Sequence, residues 1–365
     1  MCPGNRGNPA RRFSRSQVTT DQMMDSKPFT LPFRGISPAI GTPAAFFDRA
    51  CAVLGRARIG RAAAFAPFAV VRADGHVINA GDDLFLGAHA TVHIAHDLYG
   101  STIGDRVTVG RNSIVHACTI GDDCVLEDDV AVLDGAAVGS GCVLAAGSVV
   151  YPRAMLPPGH WCEGSPAQPV RTLTAAERDE LRERVRASAR SCDTTSAQEF
   201  RIEAGAGSYV AATAVGRAHL VLGPQASIWF GCVLDADGHP IRIGAGTNVQ
   251  DNSVLRTSTR TIEIGERTTI GHNVLLEDCT IGSGSLIGMG SRLAPGTTVQ
   301  DDVFVAAGTH TSEGQLLTSG SLWGGRPARP IAALRDSLRS VVAETCTMYC
   351  GYAQKYAARQ ADLAG

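Results

Sequence analysis

Aliphatic residues recur at every sixth position in two stretches of this chain, and this spacing is the clearest structural pattern in the sequence. The positions are Ile120, Leu126, Val132, Val138, Leu144 and Val150, and then Ile281, Ile287, Leu293, Val299 and Val305. Amphipathic helices repeat every 3.6 residues and strands every two, so neither element explains a period of six. The period is typical of a left-handed parallel β-helix, in which a short strand with one inward aliphatic residue precedes each turn. One coil cannot bury its own apolar face, so successive coils stack into a common core.

The two stretches are copies of each other. Residues Ile103, Val109, Val115 and Ile120 lie 161 positions before Ile264, Ile270, Leu276 and Ile281. Both copies take a step of five residues, instead of six, at the last interval. A shared irregularity indicates duplication more strongly than a shared period does. We therefore predict a mainly β protein with two tandem β-helices (hexapeptide repeats), each followed by an α-helix.

Proline, glycine and charge patterns divide the chain into five parts. We predict a leader and linker at residues 1–40, a first β-helix at 41–170, an amphipathic helix and linker at 171–206, a second β-helix at 207–330 and a C-terminal helix at 331–365. The first helix should run from Thr174 to about Arg190, and Thr174 with Glu177 forms a capping box at its start. The C-terminal helix should run from roughly Ile331 to Ala361.

Composition agrees with this architecture and excludes some functions. The 365 residues include 41 glycines, and 44% of them are hydrophobic but only 5% aromatic. This composition suits β-helices, which are thin prisms with aliphatic side chains inside and turns at the corners. A net charge of −2 argues against a nucleic-acid-binding protein. No apolar run reaches the roughly 18 residues of a membrane-spanning helix, so we expect no transmembrane helix. The 11 cysteines are scattered and odd in number, which favours a reducing compartment.

The first twenty residues are basic. They contain Arg6, Arg11, Arg12 and Arg15, and the first acidic residue is Asp21. Such a segment is similar to a mitochondrial transit peptide. The alternative is a disordered tail, which the prolines and glycines between residues 3 and 9 also favour.

Five segments of the second copy carry a family resemblance. They are Ser227-Ile-Trp-Phe-Gly-Cys-Val-Leu, the stretch from Ile241 to Leu255 that contains Gln250-Asp251-Asn252, Thr269-Ile-Gly-His-Asn-Val-Leu-Leu, Ile287-Gly-Met-Gly-Ser and Ser321-Leu-Trp-Gly-Gly-Arg-Pro-Ala. These segments resemble the gamma-class carbonic anhydrases and their catalytically altered relatives. The resemblance extends to the first copy, which is more diverged.

The resemblance implies a trimer of β-helices with zinc between neighbours. One subunit supplies a histidine after a Val-Leu pair and another after a Leu-Leu pair, and its neighbour supplies the histidine of Thr-Ile-Gly-His. Three neutral imidazoles leave the fourth tetrahedral position to water, whose pKa falls towards about 7. Hydroxide at that position attacks carbon dioxide.

The ligand positions are only partly occupied by histidine. By the resemblance, the second copy keeps His272, while Arg256 and Glu277 replace its other two ligands. The first copy keeps His116, and its other two positions are Tyr99 and Arg111. His93 is assigned to the place of Gln250. We interpret His116 and His272 as vestigial ligands, or as ligands that a partner subunit completes, and we assign no catalytic residue.

The family also has an Arg-x-Asp pair that bridges subunits. It corresponds to Arg72 and Asp74 in the first copy and to Asp235 and Asp237 in the second, where the positive partner is lost. The resemblance therefore assigns the interface to Arg72, Asp74, Asp237, Gln250 and Asp251.

Two arrangements of the copies are open. In one, His116 and Tyr99 face His272, with His93 nearby, which would make a poor zinc site. In the other, Arg256 and Glu277 face Arg111, so that a carboxylate lies between two guanidiniums where zinc would be. We favour the second because opposite charges compensate each other when they are buried. A third prism from a partner would then face His272.

These assignments predict a structural role. The leading hypothesis is a subunit that is non-catalytic on its own and supplies two prisms of a β-helix heterotrimer, which a gamma carbonic anhydrase-like subunit completes. By the resemblance, the setting is the membrane arm of mitochondrial respiratory complex I, on the matrix side of the inner membrane. No cofactor is expected on the chain alone, and zinc is expected only at an interface with a partner. The alternatives are a partner-completed zinc carbonic anhydrase, with a hexapeptide acyltransferase as a weaker variant, and a cytosolic assembly module similar to β-helical dynactin subunits.

Overall fold

The structure is a computed structural model that describes residues 27–48, 50–192, 194 and 197–364. Two parallel β-helices follow each other along the chain, and each ends in an antiparallel strand pair and is followed by an α-helix. The predicted fold class is confirmed. The basic segment proposed as a transit peptide lies outside the described residues.

The first β-helix is built from two sheets whose strands stack coil upon coil. Its larger sheet contains Phe29–Leu31, Ala39–Ile40, Ala52–Ile59, Val70–Ala80, Thr91–His93, Ser101–Ile103, Ile114–His116, Thr119–Ile120, Ala131–Val132, Ala137–Val138, Val149–Val150 and Met155–Leu156. Its smaller sheet contains Phe46–Phe47, Ala64–Phe65, Phe85–Leu86, Thr108–Val109, Val125–Leu126, Val143–Leu144, His160–Gly164 and Ala167–Thr172. Strands of neighbouring coils pair in parallel, and the last two strands of the smaller sheet are antiparallel.

The second β-helix repeats this plan. Its larger sheet contains Gln198–Ala204, Val215–Leu222, Val233–Ala236, Ile241–Ile243, Val254–Thr257, Ile262–Ile264, Leu275–Glu277, Thr280–Ile281, Arg292–Leu293, Thr298–Val299 and Leu316–Leu317. Its smaller sheet contains Tyr209–Val210, Ser227–Ile228, Asn248–Val249, Thr269–Ile270, Leu286–Ile287, Phe304–Val305, Ser321–Gly324 and Arg329–Ala333.

The six-residue period marks the core of each β-helix. All eleven aliphatic residues of the two periodic stretches are at most 2% exposed, and they belong to two separate apolar clusters, one inside each β-helix. Burying one such side chain contributes about 2 kcal/mol. The stacked positions therefore account for why a chain with so few aromatic residues forms two stable cores.

One α-helix follows each β-helix along the chain. Helix α1 spans Ala175–Ser188, and Thr174 caps it in the predicted capping box. Its Val185 packs against Val125 and Val143 of the first β-helix. Helix α2 spans Asp336–Ala364. Within the described residues, neither helix is long and apolar enough to cross a membrane.

Three predicted boundaries were wrong. Phe29–Leu31 and Ala39–Ile40 pair with Ala52–Ile59, so residues 29–40 belong to the first β-helix instead of a linker. Gln198–Ala204 pairs with the strand from Val215, so the second β-helix begins before residue 207. Helix α2 begins after residue 331 because Arg329–Ala333 still pairs with the preceding strand. These end strands cover the open edges of their sheets, and the six-residue period does not reach them.

One face of the first β-helix packs against the second β-helix. Ile114, Ala131, Leu133 and Val149 form an apolar cluster there with Met289 and Ala307. Beside it, Oγ1 of Thr91 hydrogen-bonds to Asn252 (2.9 Å) and to Asn273 (2.7 Å) of the second β-helix. The two copies therefore share an interface that combines an apolar patch with buried polar contacts.

Candidate metal centre

Three histidines meet at this interface. Each of His93, His116 and His272 offers a ring nitrogen, and the three nitrogens lie within 4.8 Å of one another. The ring centroids are 4.8 to 5.6 Å apart. His93 and His116 belong to the first β-helix and His272 to the second. One chain thus supplies three imidazoles from both of its copies.

Strand geometry explains why the first β-helix presents two of them. His93 and His116 end two adjacent parallel strands and are direct partners in the register. The preceding residues, Val92 and Val115, are fully buried in the core. Since successive side chains on a strand point to opposite faces, both histidines point outward, towards the second β-helix.

His272 approaches from a corner of the second β-helix. It lies in the turn after the strand Thr269–Ile270 and is fully buried. The next residue, Asn273, anchors this turn to the first β-helix because its Nδ2 donates to the backbone oxygen of His89 and to Oδ1 of Asn112, each at 2.8 Å. These contacts hold the His272 turn against the strands that carry the other two histidines.

An oxygen atom lies next to Nδ1 of each ring. Nδ1 of His93 lies 2.6 Å from the backbone oxygen of Arg72, and Nδ1 of His116 hydrogen-bonds to Oδ1 of Asp134. Nδ1 of His272 lies 3.1 Å from Oδ2 of Asp251, without the alignment of a hydrogen bond. A ring that donates from Nδ1 presents an unprotonated Nε2, which is the form that binds metal.

Electrostatics keep two of the rings neutral. Burial lowers the pKa of His272 to about 4, although Asp251 opposes that shift. Burial, reinforced by the positive charge of Arg72, lowers the pKa of His93 well below its usual value. Burial alone would raise the pKa of Asp251, but Arg72 and His272 outweigh burial and hold that pKa below its usual value. The site therefore combines neutral imidazoles with an ionised carboxylate.

These residues fit a zinc ion. Three imidazoles are a ligand set of catalytic zinc, which keeps a fourth position open for water or substrate. Among the described residues, neither ring nitrogen of the fully buried His272 has a hydrogen-bond partner. An unsatisfied buried polar atom costs about 1–3 kcal/mol, and a metal–nitrogen bond would remove that cost at Nε2.

A buried ionic network supports the centre from one side. The side chains of Arg72 and Asp251 are fully buried, and Nε of Arg72 donates to Oδ2 of Asp251 at 2.8 Å. Arg72 also pairs with Asp74, which lies two residues further along the same strand. Asp251 joins the network to His272. The predicted interface residues Arg72, Asp74 and Asp251 therefore meet at one point between the two copies.

A largely apolar cavity leads to the histidines. Its volume is about 750 Å³, and both β-helices and helix α2 line it. Apolar side chains from all three parts contribute, among them Leu133, Phe304 and Met348. Gln250 also lines the cavity, and its Nε2 donates to Oδ1 of Asn248 at 3.1 Å. The cavity suits a small ligand with little charge.

The assignment of Tyr99 to a ligand position was wrong. The register pairs His93 with His116, as it pairs Arg256 with Glu277, so His93 occupies the position assigned to Tyr99 and not that of Gln250. A short loop from Ala95 to Tyr99 lengthens the first copy here and leaves Tyr99 48% exposed. The signal was available in the strand pattern, because Thr91-Val92-His93 matches Ile114-Val115-His116 in residue type.

The favoured arrangement of the copies was also wrong. Arg111 lies beside Asp128 and donates to the backbone oxygen of Ser188, and the ion pairs of the described residues include none between Arg111 and Glu277. His272 already faces His93 and His116 of its own chain, so no partner is needed to complete three imidazoles. Asp237, which was assigned to the interface, is exposed. The physical reason is that neutral imidazoles cost less to bury than charged side chains. The interface therefore buries the histidines, while the charged Arg256 stays exposed to water.

Comparisons with known proteins agree with the fold. The family model described as "Bacterial transferase hexapeptide (six repeats)" matches residues 117–152, and the one described as "Hexapeptide repeat of succinyl-transferase" matches residues 277–310. A solved structure of a putative acetyltransferase from Desulfovibrio desulfuricans G20 has a TM-score of 0.51 and covers 85% of this chain and 72% of its own chain. At 16% identity this likeness concerns the fold alone.

The curated relatives specify the family. Gamma carbonic anhydrase 1, mitochondrial, of Arabidopsis thaliana is 36% identical over 157 residues, which cover 41% of this chain and 56% of the plant protein. The chain spans 51% to 63% of the length of the three plant gamma carbonic anhydrases that it matches. A carbonic anhydrase of Geobacillus kaustophilus is 31% identical over 124 residues, which cover 33% of this chain and 68% of that enzyme. This chain is a member of the gamma carbonic anhydrase family, built as two hexapeptide-repeat β-helices in tandem.

Proposed function

We propose that this protein is a zinc-dependent carbonic anhydrase whose metal site is completed within a single chain. The observation that carries the proposal is the cluster of His93, His116 and His272 at the interface of the two copies. The relatives named carbonic anhydrases support the same chemistry. The earlier expectation of a non-catalytic chain rested on incomplete ligand sets, and this cluster removes that reason.

The chain's own residues perform three tasks in this proposal. His93, His116 and His272 hold the metal, and the oxygens next to their Nδ1 atoms orient the rings. When bound, zinc lowers the pKa of a coordinated water to about 7 and so supplies hydroxide at neutral pH. The apolar walls of the cavity admit an uncharged, linear molecule such as carbon dioxide and exclude bulk water.

The direct test is carbon dioxide hydration by the chain purified alone. Stopped-flow measurement with a pH indicator should detect activity after the metal-free chain is loaded with zinc. The variant His116→Gln should lose that activity because two imidazoles cannot hold the zinc. The matched control Glu277→Gln changes the equivalent position in the second copy, which is not part of the cluster, and should retain the activity. A zinc-loaded chain without hydration activity would refute the proposal.

A third β-helix is the partner that the open side of the molecule suits. Thr91 and Ile114 of the first β-helix are covered by the second and are at most 1% exposed. The equivalent Val254 and Leu275 of the second β-helix are only partly buried and line a groove of about 680 Å³. Arg111, at the first-copy position equivalent to His272, lines the same groove. A further prism of the gamma carbonic anhydrase type would cover this face and this corner together.

The cellular setting remains a separate proposal. The three Arabidopsis relatives are named mitochondrial, which supports a mitochondrial location for this chain. A place on the matrix side of the membrane arm of respiratory complex I stays a prediction from the family resemblance. Imaging of the tagged full-length protein tests the location, and native gel electrophoresis of solubilised mitochondria tests the assembly. Migration at the size of the free chain alone would contradict the complex I assignment.

A further inference from the structure

Arg72 joins three parts of the molecule although it is 0% exposed. It lies on the strand Val70–Ala80 of the first β-helix. Its Nε donates to Asp251 of the second β-helix at 2.8 Å, and its Nη2 donates to the hydroxyl of Tyr349 on helix α2, also at 2.8 Å. Its Nη1 donates to Asp74. The position of this guanidinium therefore depends on helix α2 as well as on both β-helices.

Helix α2 supplies two tyrosines to this network. Tyr349 accepts from Arg72, and the hydroxyl of Tyr356 donates to Oδ1 of Asp74, the partner of Arg72. Both rings pack edge-on against Trp229, with centroids 5.0 Å and 5.8 Å away. Arg72 lies over the same indole at 4.5 Å. These contacts fix the two hydroxyls relative to the guanidinium.

Arg72 in turn contacts one of the three imidazoles directly and reaches a second through Asp251. Its backbone oxygen lies 2.6 Å from Nδ1 of His93. Its side chain holds Asp251, whose Oδ2 lies 3.1 Å from Nδ1 of His272. His116 is oriented separately, by Asp134 of the next coil. The contacts of helix α2 thus extend to one histidine from each β-helix and bypass the third.

We propose that helix α2 positions two of the three histidine rings of the candidate metal centre. Tyr349 and Tyr356 are the positioning residues, and they act through Arg72 on the rings of His93 and His272. The inference rests on the proposed function in one respect, since it treats these rings as metal ligands. The placement of the rings, however, is a property of the metal-free chain. Removing one phenol hydroxyl leaves a buried N–H of Arg72 or a carboxylate oxygen of Asp74 without its partner, and this cost favours a rearrangement of Arg72 and its carboxylate partners.

The histidine rings report this movement directly. In metal-free protein with ¹⁵N-labelled histidine, Tyr349→Phe and Tyr356→Phe should each shift the ring-nitrogen resonances of His93 and His272 and leave those of His116 in place. Tyr352→Phe is the matched control, because Tyr352 lies on the same helix but its hydroxyl contacts His96 of the first β-helix and not Arg72. Unchanged resonances of His93 and His272 in both variants would overturn the proposal. So would an equal shift of His116, which would indicate general loosening.

Metal affinity provides the second readout. Chelator competition should give a zinc Kd about 10-fold weaker for Tyr349→Phe than for the Tyr352→Phe control. This is the lower end of the range for losing a direct partner of a metal ligand, because Tyr349 acts through Arg72. The visible spectrum of the cobalt-substituted protein should change in Tyr349→Phe and not in Tyr352→Phe. Equal Kd values in the two variants would refute the positioning role. If the unmodified chain binds no zinc, the proposed function fails, while the ring-nitrogen spectra still decide the role of helix α2.

Discussion

The same face of the two β-helices has the same backbone and different chemistry. The equivalent residues are His93 and Arg256, His116 and Glu277, and Arg72 and Asp235. In the first copy this face is covered by the second copy and its histidines are buried. In the second copy the face lines an open groove, and Arg256 and Asp235 are exposed.

The difference shows how duplication divides a site between copies. A histidine cluster that lies between two β-helices needs residues from both, and this chain has three imidazoles where its own copies meet. At the open face, the described residues provide no second surface that could supply a further imidazole. In the chain alone, water solvates the charged residues Arg256 and Asp235 on this face. Equivalent positions therefore carry histidine where the two copies meet and charged residues where the face is open.

Replacing His272 should have the largest effect, a loss of zinc affinity. The variant His272→Gln leaves two imidazoles, and we expect zinc binding to weaken by at least about 100-fold, more than the loss of an orienting residue causes. Arg111→Gln changes the equivalent corner of the first copy and should bind zinc as the unmodified chain does. Isothermal titration of both metal-free variants with zinc measures the difference. Similar affinities would show that the corner of the second copy is not a ligand.

The buried ion network should give the second-largest effect. Arg72→Met leaves Asp74 and Asp251 buried without their counter-charge, which costs about 3–5 kcal/mol of unfolding free energy. Its equivalent Asp235 is exposed, so Asp235→Asn should change stability by no more than about 0.5 kcal/mol. Urea unfolding of the metal-free proteins compares the two. Equal losses would mean that the closed and open faces do not differ in burial as described.

Acid should destabilise the metal-free chain through its buried imidazoles. Burial lowers the pKa of His272 to about 4, whereas an unfolded histidine titrates near about 6.5. The unfolded state therefore binds more protons between these values, and stability falls as the pH drops through this window, by about 1.4 kcal/mol per pH unit for this residue. Urea unfolding of His272→Gln between pH 7 and 5 should show a shallower fall than that of Arg111→Gln. Parallel curves would contradict the assigned burial.

Rebuilding the open face should have the smallest effect. The double variant Arg256→His with Glu277→His restores two imidazoles in register on the second copy, but the third ligand would have to come from another prism. We expect the zinc content of the chain alone to remain one per molecule after dialysis. A second tightly bound zinc would show that the open face needs no partner.

The fold could be predicted from sequence because its signal is local. Each inward aliphatic residue, from Ile120 onward and again from Ile281 onward, repeats the same spacing, so a linear pattern specifies both cores. The end strands were missed because pairing at an edge depends on a neighbouring strand and not on a period. Phe29–Leu31 illustrates this, since it pairs with Ala52–Ile59 at the edge of the larger sheet.

The candidate metal centre could be predicted only in part. His116 and His272 lie in recognisable motifs. His93 precedes a loop that changes the number of residues between the two copies' equivalent positions, so alignment by spacing assigned Tyr99 in its place. The choice between two arrangements of the copies depended on burial at an interface that no linear pattern encodes. Coulomb attraction favoured a pair between Arg111 and Glu277, whereas the described ion pairs between the two copies include the buried Arg72–Asp251 pair and the more exposed Asp129–Arg292 pair.

The most direct test is anomalous diffraction at the zinc absorption edge from crystals of this chain alone, grown without any partner. The account predicts one peak per chain, bound by ring nitrogens of His93, His116 and His272. A saturated crystal with no peak among these three rings, or with its only peak at Arg256 and Glu277, would contradict the claim that the chain completes its own metal site.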